Sequence, residues 1–332
     1  MKKSRITGVG HYVPDQIITN EYLSSIMDTN NEWIVERTGI EERRWFTPGK
    51  DTVTSMSFEA SKMALERAGI DAKEIDFIVF ATITPDYFVP GNGVLLQREL
   101  GIPGIPALDV RNACSGFIYA LSVADQFIKT GMYKTILVVG AEIQSSALDK
   151  SDAGRSSAVI FADGAGAAVL QAVESDQHGI LSTHLHADGE HAEELYLKDP
   201  GSSREVRLSP EIINEPSFKM FMNGNTVFKH AVVRFSEVIN EALEANGKDK
   251  SEIDLLVPHQ ANLRISNYIQ QKMGLSDDKV FNNIMKLGNT TAGTIPIALS
   301  QAWEQGRLKE GDLVVLAAFG SGFTWASALL NW

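Results

Sequence analysis

The 332-residue chain has a single cysteine, Cys114, which excludes an intrachain disulfide framework and a thiolate zinc cluster. A lone thiol fits a reducing compartment. Positive charge is also scarce: 30 Lys and Arg stand against 42 Asp and Glu, a net charge of −12. That balance opposes non-specific attraction to phosphate backbones and anionic membranes, so neither nucleic acid nor membrane is an expected partner. No apolar run approaches the roughly 20 residues of a membrane span, and no apolar stretch follows the charges of MKKSRITGVG as in a secretory signal. The expected location is the cytoplasm. Aromatic residues make up only 8%, yet hydrophobic residues reach 44% and charged residues 22%, the composition of a folded chain and not a disordered one. At roughly 150 residues per domain, the length allows about two domains.

What the chain does contain is an internal repeat. Residues 64–79 (ALERAGIDAKEIDFIV) agree with residues 242–257 (ALEANGKDKSEIDLLV) at nine of sixteen positions, an offset of 178. Each copy reads as the end of an amphipathic helix, stopped at Gly69 or Gly247, then a polar loop and a short apolar strand. The same offset relates Ala120-Leu121-Ser122 and Ala124 to Ala298-Leu299-Ser300 and Ala302, on helices that precede the apolar runs ILVV (136–139) and LVVL (313–316). Two related α/β units, with helices covering buried sheets, are the expected fold class. The halves divide as 1–175, carrying the cysteine, and 176–332, carrying the candidate His and Asn. Residues 187–217, rich in charge, Gly, Ser and Pro, read as a surface excursion near the junction. The segment AVIFADGAGAAVL (158–170) reads as strand, tight turn, strand, with glycines that let backbones approach.

Three polar residues stand out against this framework. Cys114, in VRNACSGFIYALSVAD, lies where a strand turns into a helix, and a thiol at a helix N-terminus is favoured as thiolate and hence as nucleophile. Gly116 beside it leaves room for a substrate. Taken alone, the cysteine is equally readable as a small buried apolar residue. His259, in LLVPHQAN, leaves the end of a buried strand, where open α/β sheets build their sites; a satisfied core histidine is the plainer reading. Asn289, in KLGNTTAGTIP, precedes the second-half helix whose counterpart begins at Cys114, and its plainer role is a helix cap. If the repeat is a pseudo-twofold, all three converge at the junction of the halves. In AAFGSGFTWASALL, Gly320 and Gly322 permit a turn that either supplies an oxyanion donor or is a simple hairpin. His184 and His186 in HLHADGEH, with His191 nearby, have a spacing compatible with a metal, but no carboxylate is spaced as a fourth ligand, and no metal is expected. The order Cys, His, Asn, separated by 145 and 30 residues, also fits a papain-like cysteine hydrolase; NACSG and the α/β repeat argue against it.

The combined motifs DTNNEWIVERTGI (28–40), NACSGFIYALSVAD (112–125), FADGAGAAVL (161–170), HLHADG (184–189), GNTVFK (224–229), VPHQANLR (257–264), GNTTAG (288–293) and FGSGFTW (319–325) resemble those of the β-ketoacyl-acyl-carrier-protein synthase III family over essentially the full length. The resemblance implies a thiolase fold, a five-layered αβαβα duplication. It implies an acyltransferase that condenses an acyl-coenzyme A starter with malonyl-acyl carrier protein to begin fatty-acid synthesis. Cys114 then corresponds to the acyl-accepting nucleophile, His259 and Asn289 to the pair that hydrogen-bonds the malonyl thioester carbonyl, and the N–H groups of Cys114 and Ser321 to the oxyanion hole. Trp33 and Arg155 correspond to the pair flanking the adenine of coenzyme A, with Thr29 and Arg37 beside its polar groups. Acyl-coenzyme A enters as substrate, no cofactor is expected, and the family implies a homodimer. An acidic carrier protein docking on a chain of net charge −12 requires a local basic patch, for which Lys229, Arg264 and Lys272 are the candidates. Asn112 stands where the family more often has Ala, Ser321 replaces a Gly, and Val89, with Tyr87 and Phe88 beside it, stands where some members place a Phe that closes the acyl pocket across a dimer interface. Ketosynthases of secondary metabolism, making alkylquinolones, alkylresorcinols or polyketide starters, would keep the same three residues. Against a third reading, a catalytically idle thiolase-fold protein that only binds carrier protein, stand the intact Cys114, His259 and Asn289.

Overall fold

The computed structural model describes residues 3–174 and 178–332. In chain order the strands are β1 (Lys3–Tyr12), β2 (Gln16–Thr19), β3 (Glu42–Trp45), β4 (Phe77–Ala81), β5 (Ala107–Val110), β6 (Thr135–Ile143), β7 (Asp163–Val173), β8 (Gly179–Ala187), β9 (Leu195–Tyr196), β10 (Phe221–Met222), β11 (Leu255–Pro258), β12 (Leu313–Gly320) and β13 (Thr324–Asn331). The helices are α1 (Asn20–Ser24), α2 (Asn31–Thr38), α3 (Val53–Ala68), α4 (Asn92–Leu100), α5 (Gly116–Lys129), α6 (Arg155–Ala158), α7 (Gly224–Ala245), α8 (Leu263–Met273), α9 (Ile284–Leu287) and α10 (Thr294–Glu304).

Two large sheets, in the orders β1-β7-β6-β4-β5 and β11-β12-β13-β8, are accompanied by two-stranded pairs β2-β3 and β9-β10. Read from matching edges, β1, β7, β6 and β4 correspond to β8, β13, β12 and β11. Over these four strands each sheet has one parallel step, β6 with β4 and β12 with β11, and two antiparallel ones; the first sheet adds β5, parallel to β4. The repeat seen in the sequence is thus a repeat of whole sheets.

Strand side chains alternate between faces, and here both faces are apolar. In β4, Ile78 and Phe80 pack with Met56 and Ala60 of α3, while Phe77, Val79 and Ala81 join Phe117 and Leu121 of α5. In β12, Val315 and Ala317 pack with Phe235 and Ile239 of α7, while Val314 and Leu316 share a core with α5 and α10. Fully buried sheets of this kind need helices on both sides. The layers are therefore α3 with α4, the first sheet, α5 with α10, the second sheet, and α7 with α8: the expected αβαβα order. Helix α3 is set by a Thr52–Ser55 capping box and ends at left-handed Gly69.

Two expectations change, and a third falls where nothing is described. Residues 163–173 form one continuous strand, β7, where a strand-turn-strand was expected. Its glycines bring α10 close: a Cβ on Gly166 would lie 2.6 Å from the backbone N of Ile297. The 175/176 division falls outside the described residues. The excursion of 187–217 is largely exposed, but it is not only surface, since Leu195 of β9 is buried.

Candidate active site

Strand β5 leads into Asn112 and then Ala113, whose φ of 44° is left-handed at a non-glycine residue. A short turn, Ala113–Ser115, then starts α5. The second half repeats the device 178 residues on: Thr291 has φ of 51° and the turn Thr291–Gly293 starts α10. Such conformations cost of order 1–3 kcal/mol and persist where packing over-determines them. Packing does so here: a Cβ on Gly140 would lie 2.3 Å from the Ala292 carbonyl oxygen. Gly116 likewise faces Ala81 and Ala292 at 3.3 and 3.6 Å from a notional Cβ, so it serves helix packing and not the expected approach of substrate.

The elbow holds Cys114 buried. Burial first, and the charge of Glu142 second, push its thiol up to about 12, against the pull of the Cys114 and Ser321 backbone N–H groups. Burial thus works against the thiolate expected at this helix N-terminus: the N–H groups are present, but desolvation is the larger effect. Ser321 lies in the β12–β13 turn, which approaches the cysteine so closely that a Cβ on Gly320 would sit 2.6 Å from Cys114 Cβ and 3.1 Å from Sγ. Only glycine fits there.

His259 follows β11 and donates its backbone N–H to Ala317 at 2.8 Å. Its ring is buried, which lowers its pKa to about 3 and keeps it neutral at working pH. Nδ1 lies 2.6 Å from Thr294 Oγ1, and Nε2 has no partner among the described residues. Asn289 is clamped by the first half, with its N–H donating to Ile160 O and its carbonyl accepting from Ala162 N, both at 2.9 Å. Its Oδ1 accepts the Thr291 N–H at 2.8 Å, leaving Nδ2 as the end available to a ligand. Cys114, His259, Asn289, Phe161 and Gly320 line one cavity of about 110 Å³ that continues past Gly224, Phe228, Asn262 and Ile265 of the α7 and α8 N-terminal ends. The three residues that the repeat predicted would converge do line a single space.

A second cavity, of about 700 Å³, also includes Cys114 and is lined by Ile83, Thr84, Ala147, Leu195, Leu197 and Met220. The β9–β10 hairpin forms part of its wall, and the Ser321 hydroxyl donates to the Leu195 carbonyl. Phe88 lines this cavity; Val89 does not and is 78% exposed. Within one chain Val89 thus stays outside the cavity, which leaves it free to act only across a subunit interface, as its proposed gate position requires; Phe88 reaches the cavity edge while remaining 65% exposed.

Trp33 is flanked by two cations, Arg37 at 4.9 Å and Arg155 at 4.8 Å from its ring centroid. Thr29 lies four residues before Trp33 and has a buried hydroxyl without a partner among the described residues. Asn262, in the first cavity, donates to the Arg37 carbonyl at 2.9 Å, which ties this cluster to the channel. Lys229 on α7 and Arg264 and Lys272 on α8 are all exposed, and α7 packs on α8. His184 and His186 lie on one strand face as expected, but the carboxylate of Glu241 from α7 sits 3.3 Å from the first and 2.6 Å from the second. His191 packs instead against His230 and Phe323.

Sequence reasoning missed Glu142, Leu195 and Thr294. Glu142 looks like a polar residue within an apolar strand, a signal that could have marked it. Leu195 lies in the segment read as surface. Thr294 directly follows GNTTAG and is aligned by the repeat with Gly116, so its hydroxyl could have been noticed.

A buried thiol, two N–H groups on its sulfur, and a neutral His and Asn in one cavity between duplicated αβα halves define a condensing acyltransferase of the thiolase type. The model described as 3-oxoacyl-[acyl-carrier-protein] synthase III matches residues 108–189, and its C-terminal counterpart matches residues 243–332. β-Ketoacyl-[acyl-carrier-protein] synthase III of Escherichia coli is 47% identical over 328 residues, 99% of each chain. The crystal structure of 3-oxoacyl-[acyl-carrier-protein] synthase III from Aquifex aeolicus matches with a TM-score of 0.91 and 42% identity, covering 99% of this chain and 100% of that one. The priming β-ketosynthase of a polyketide pathway matches at 0.89 and 32%, covering 99% and 96%. The chain belongs to the β-ketoacyl-[acyl-carrier-protein] synthase III family. The papain-like hydrolase alternative ends with this fold and family. No helix among the described residues is long and apolar enough to cross a membrane.

Proposed function

We propose that the enzyme transfers an acyl group from acyl-coenzyme A to Cys114 and condenses it with malonyl-acyl carrier protein, initiating fatty-acid synthesis. The observation that carries this reading is the single cavity shared by Cys114, His259 and Asn289. In the first half-reaction the Cys114 sulfur attacks the thioester carbonyl, the bond between the acyl carbon and the coenzyme A sulfur breaks, and the thiol proton leaves with that sulfur as free coenzyme A. The N–H groups of Cys114 and Ser321 face the position where the oxyanion develops, an interaction whose loss typically costs about 10²–10³ in rate. In the second, the malonyl thioester loses carbon dioxide and its electron pair becomes an enolate. Neutral His259 and Asn289 supply two donors to that oxygen, and the enolate carbon attacks the Cys114 thioester, releasing 3-oxoacyl carrier protein and regenerating the cysteine.

The channel toward Trp33 would carry the pantetheine arm, with Trp33, Arg37 and Arg155 holding the adenine and Thr29 offering its unpaired hydroxyl; cation–π stacking suits a flat base. The 700 Å³ cavity would receive the acyl chain. Arg264, Lys272 and Lys229 would form the landing for the acidic carrier protein. This chemistry asks for no cofactor, since the thioester is already activated, and a free thiol suits the cytoplasm. A homodimer completes the reading, with β5 at the sheet edge. Intact-mass spectrometry tests the scheme: an acyl adduct on Cys114 after incubation with acyl-coenzyme A should disappear when malonyl carrier protein is added. Absence of any adduct would refute it.

A further inference from the structure

Cys114, Phe161 and Leu195 line both the cavity of about 110 Å³ and the cavity of about 700 Å³, so the two spaces meet at these three side chains. Cys114 is the nucleophile, and Phe161 is held between Ile160 and Ala162, which both bond the Asn289 backbone. Leu195 is held differently, since it comes from β9, a two-residue strand in a two-stranded ribbon with β10. We infer that the Ser321 hydroxyl is a latch that holds Leu195 as the wall between the two cavities and so sets which acyl chains reach Cys114. Through this hydroxyl Ser321 is a positioning residue for acyl selectivity, a role separate from that of its backbone N–H. The inference rests on the functional reading above.

The Glu194 carbonyl accepts the Asn223 N–H at 2.8 Å, and successive residues of an antiparallel strand present their backbone groups to alternate sides. Leu195 therefore turns its carbonyl away from β10, and there the Ser321 hydroxyl donates to it. The donor is itself fixed. The Ser321 carbonyl accepts the Thr324 hydroxyl at 3.1 Å, and the preceding residue, Gly320, packs directly on Cys114. The latch thus ties a short ribbon to the most closely packed part of the site. Leu195 is 6% exposed and its side chain joins the core that contains Phe319 and Phe323, so the bond decides where the wall stands and not whether the leucine is buried. Ser321 lines the larger cavity only, which puts the latch on the acyl side of the wall. Releasing it lets the ribbon withdraw from the turn and widens the space beside Cys114. A residue at 321 without a hydroxyl would keep the N–H for the oxyanion and lose the latch.

The test is a double-mutant cycle read as selectivity. Acylation of Cys114 by butyryl- and acetyl-coenzyme A, followed by intact mass, gives a ratio of acylation efficiencies. Ser321→Ala should raise the butyryl-to-acetyl ratio about threefold or more. Leu195→Ala should raise it as well, and adding Ser321→Ala to that background should change it by less than about 1.5-fold, because the latch then holds no wall. A ratio unchanged or lowered in Ser321→Ala would overturn the inference. So would an equal shift in both backgrounds, which would mean that the hydroxyl meets the acyl chain directly. If Leu195→Ala fails to fold, amide hydrogen exchange of residues 195–196 and 221–223 decides: Ser321→Ala should speed it about fivefold, the loss of one hydrogen bond of ordinary strength, and unchanged exchange would overturn the latch. Wild-type protein that forms no adduct with either thioester would fail the functional reading, while the exchange comparison would still read the latch.

Discussion

Two side chains at the nucleophile work against each other. Burial pushes Glu142 up to about 8, although Thr82, Ile83 and Thr84 donate to it and pull the other way. Once ionised, it holds the Cys114 thiol up. Below that pH Glu142 is protonated and its effect vanishes. Glu142→Gln should therefore leave iodoacetamide labelling of Cys114 unchanged at pH 6 and raise it at pH 9 by roughly three- to tenfold, tenfold being one pKa unit of the thiol. Equal rates at pH 9 would show that burial alone sets the thiol. The position of the candidate nucleophile was legible because the chain has one cysteine and it stands at a strand-to-helix elbow. Its protonation state was not. The helix N-terminus is a local feature visible in sequence, whereas desolvation comes from Gly320, Phe161 and Leu195, residues remote in the chain.

At the level of elements, α8 links recognition to chemistry. Its N-terminal end contributes Asn262 and Ile265 to the channel, while Arg264 and Lys272 face outward. Arg264 also stacks over Phe228 of α7 at 5.6 Å, so its head is held near the channel mouth. Arg264→Glu should raise the KM for malonyl carrier protein about tenfold or more, with a steep salt dependence, and leave Cys114 acylation nearly unchanged. Equal loss in both steps would move the docking surface elsewhere. Helix ends and apolar strands were readable from Gly69, Gly247 and the runs at 136–139 and 313–316, because those signals are local. The glycines of 163–166 misled for a physical reason: glycine permits a turn, but here it permits close packing of β7 on α10, and only the tertiary partner distinguishes the two.

The whole molecule was the most legible scale, since a 178-residue offset between ALERAGIDAKEIDFIV and ALEANGKDKSEIDLLV reports a duplication of sheets. What the offset does not report is the roof. Leu195 reaches the site from a stretch whose polar composition conceals it, and half-buried Met220 follows just beyond that stretch. The duplication leaves β5 as an edge strand with Leu108 half exposed, near exposed Tyr87, Phe88 and Val89. An uncovered edge invites pairing, and the proposed homodimer should sediment as such and dissociate on Leu108→Lys; a wild-type monomer at micromolar concentration would contradict it. The central claim is that one half supplies the nucleophile and the other the donors that decarboxylate malonyl carrier protein. Its most direct measurement follows the Cys114 adduct by intact mass beside carbon dioxide release in Asn289→Ala. The account predicts full acylation with condensation reduced by about 10²-fold. Loss of acylation in Asn289→Ala as complete as in Cys114→Ser would contradict it.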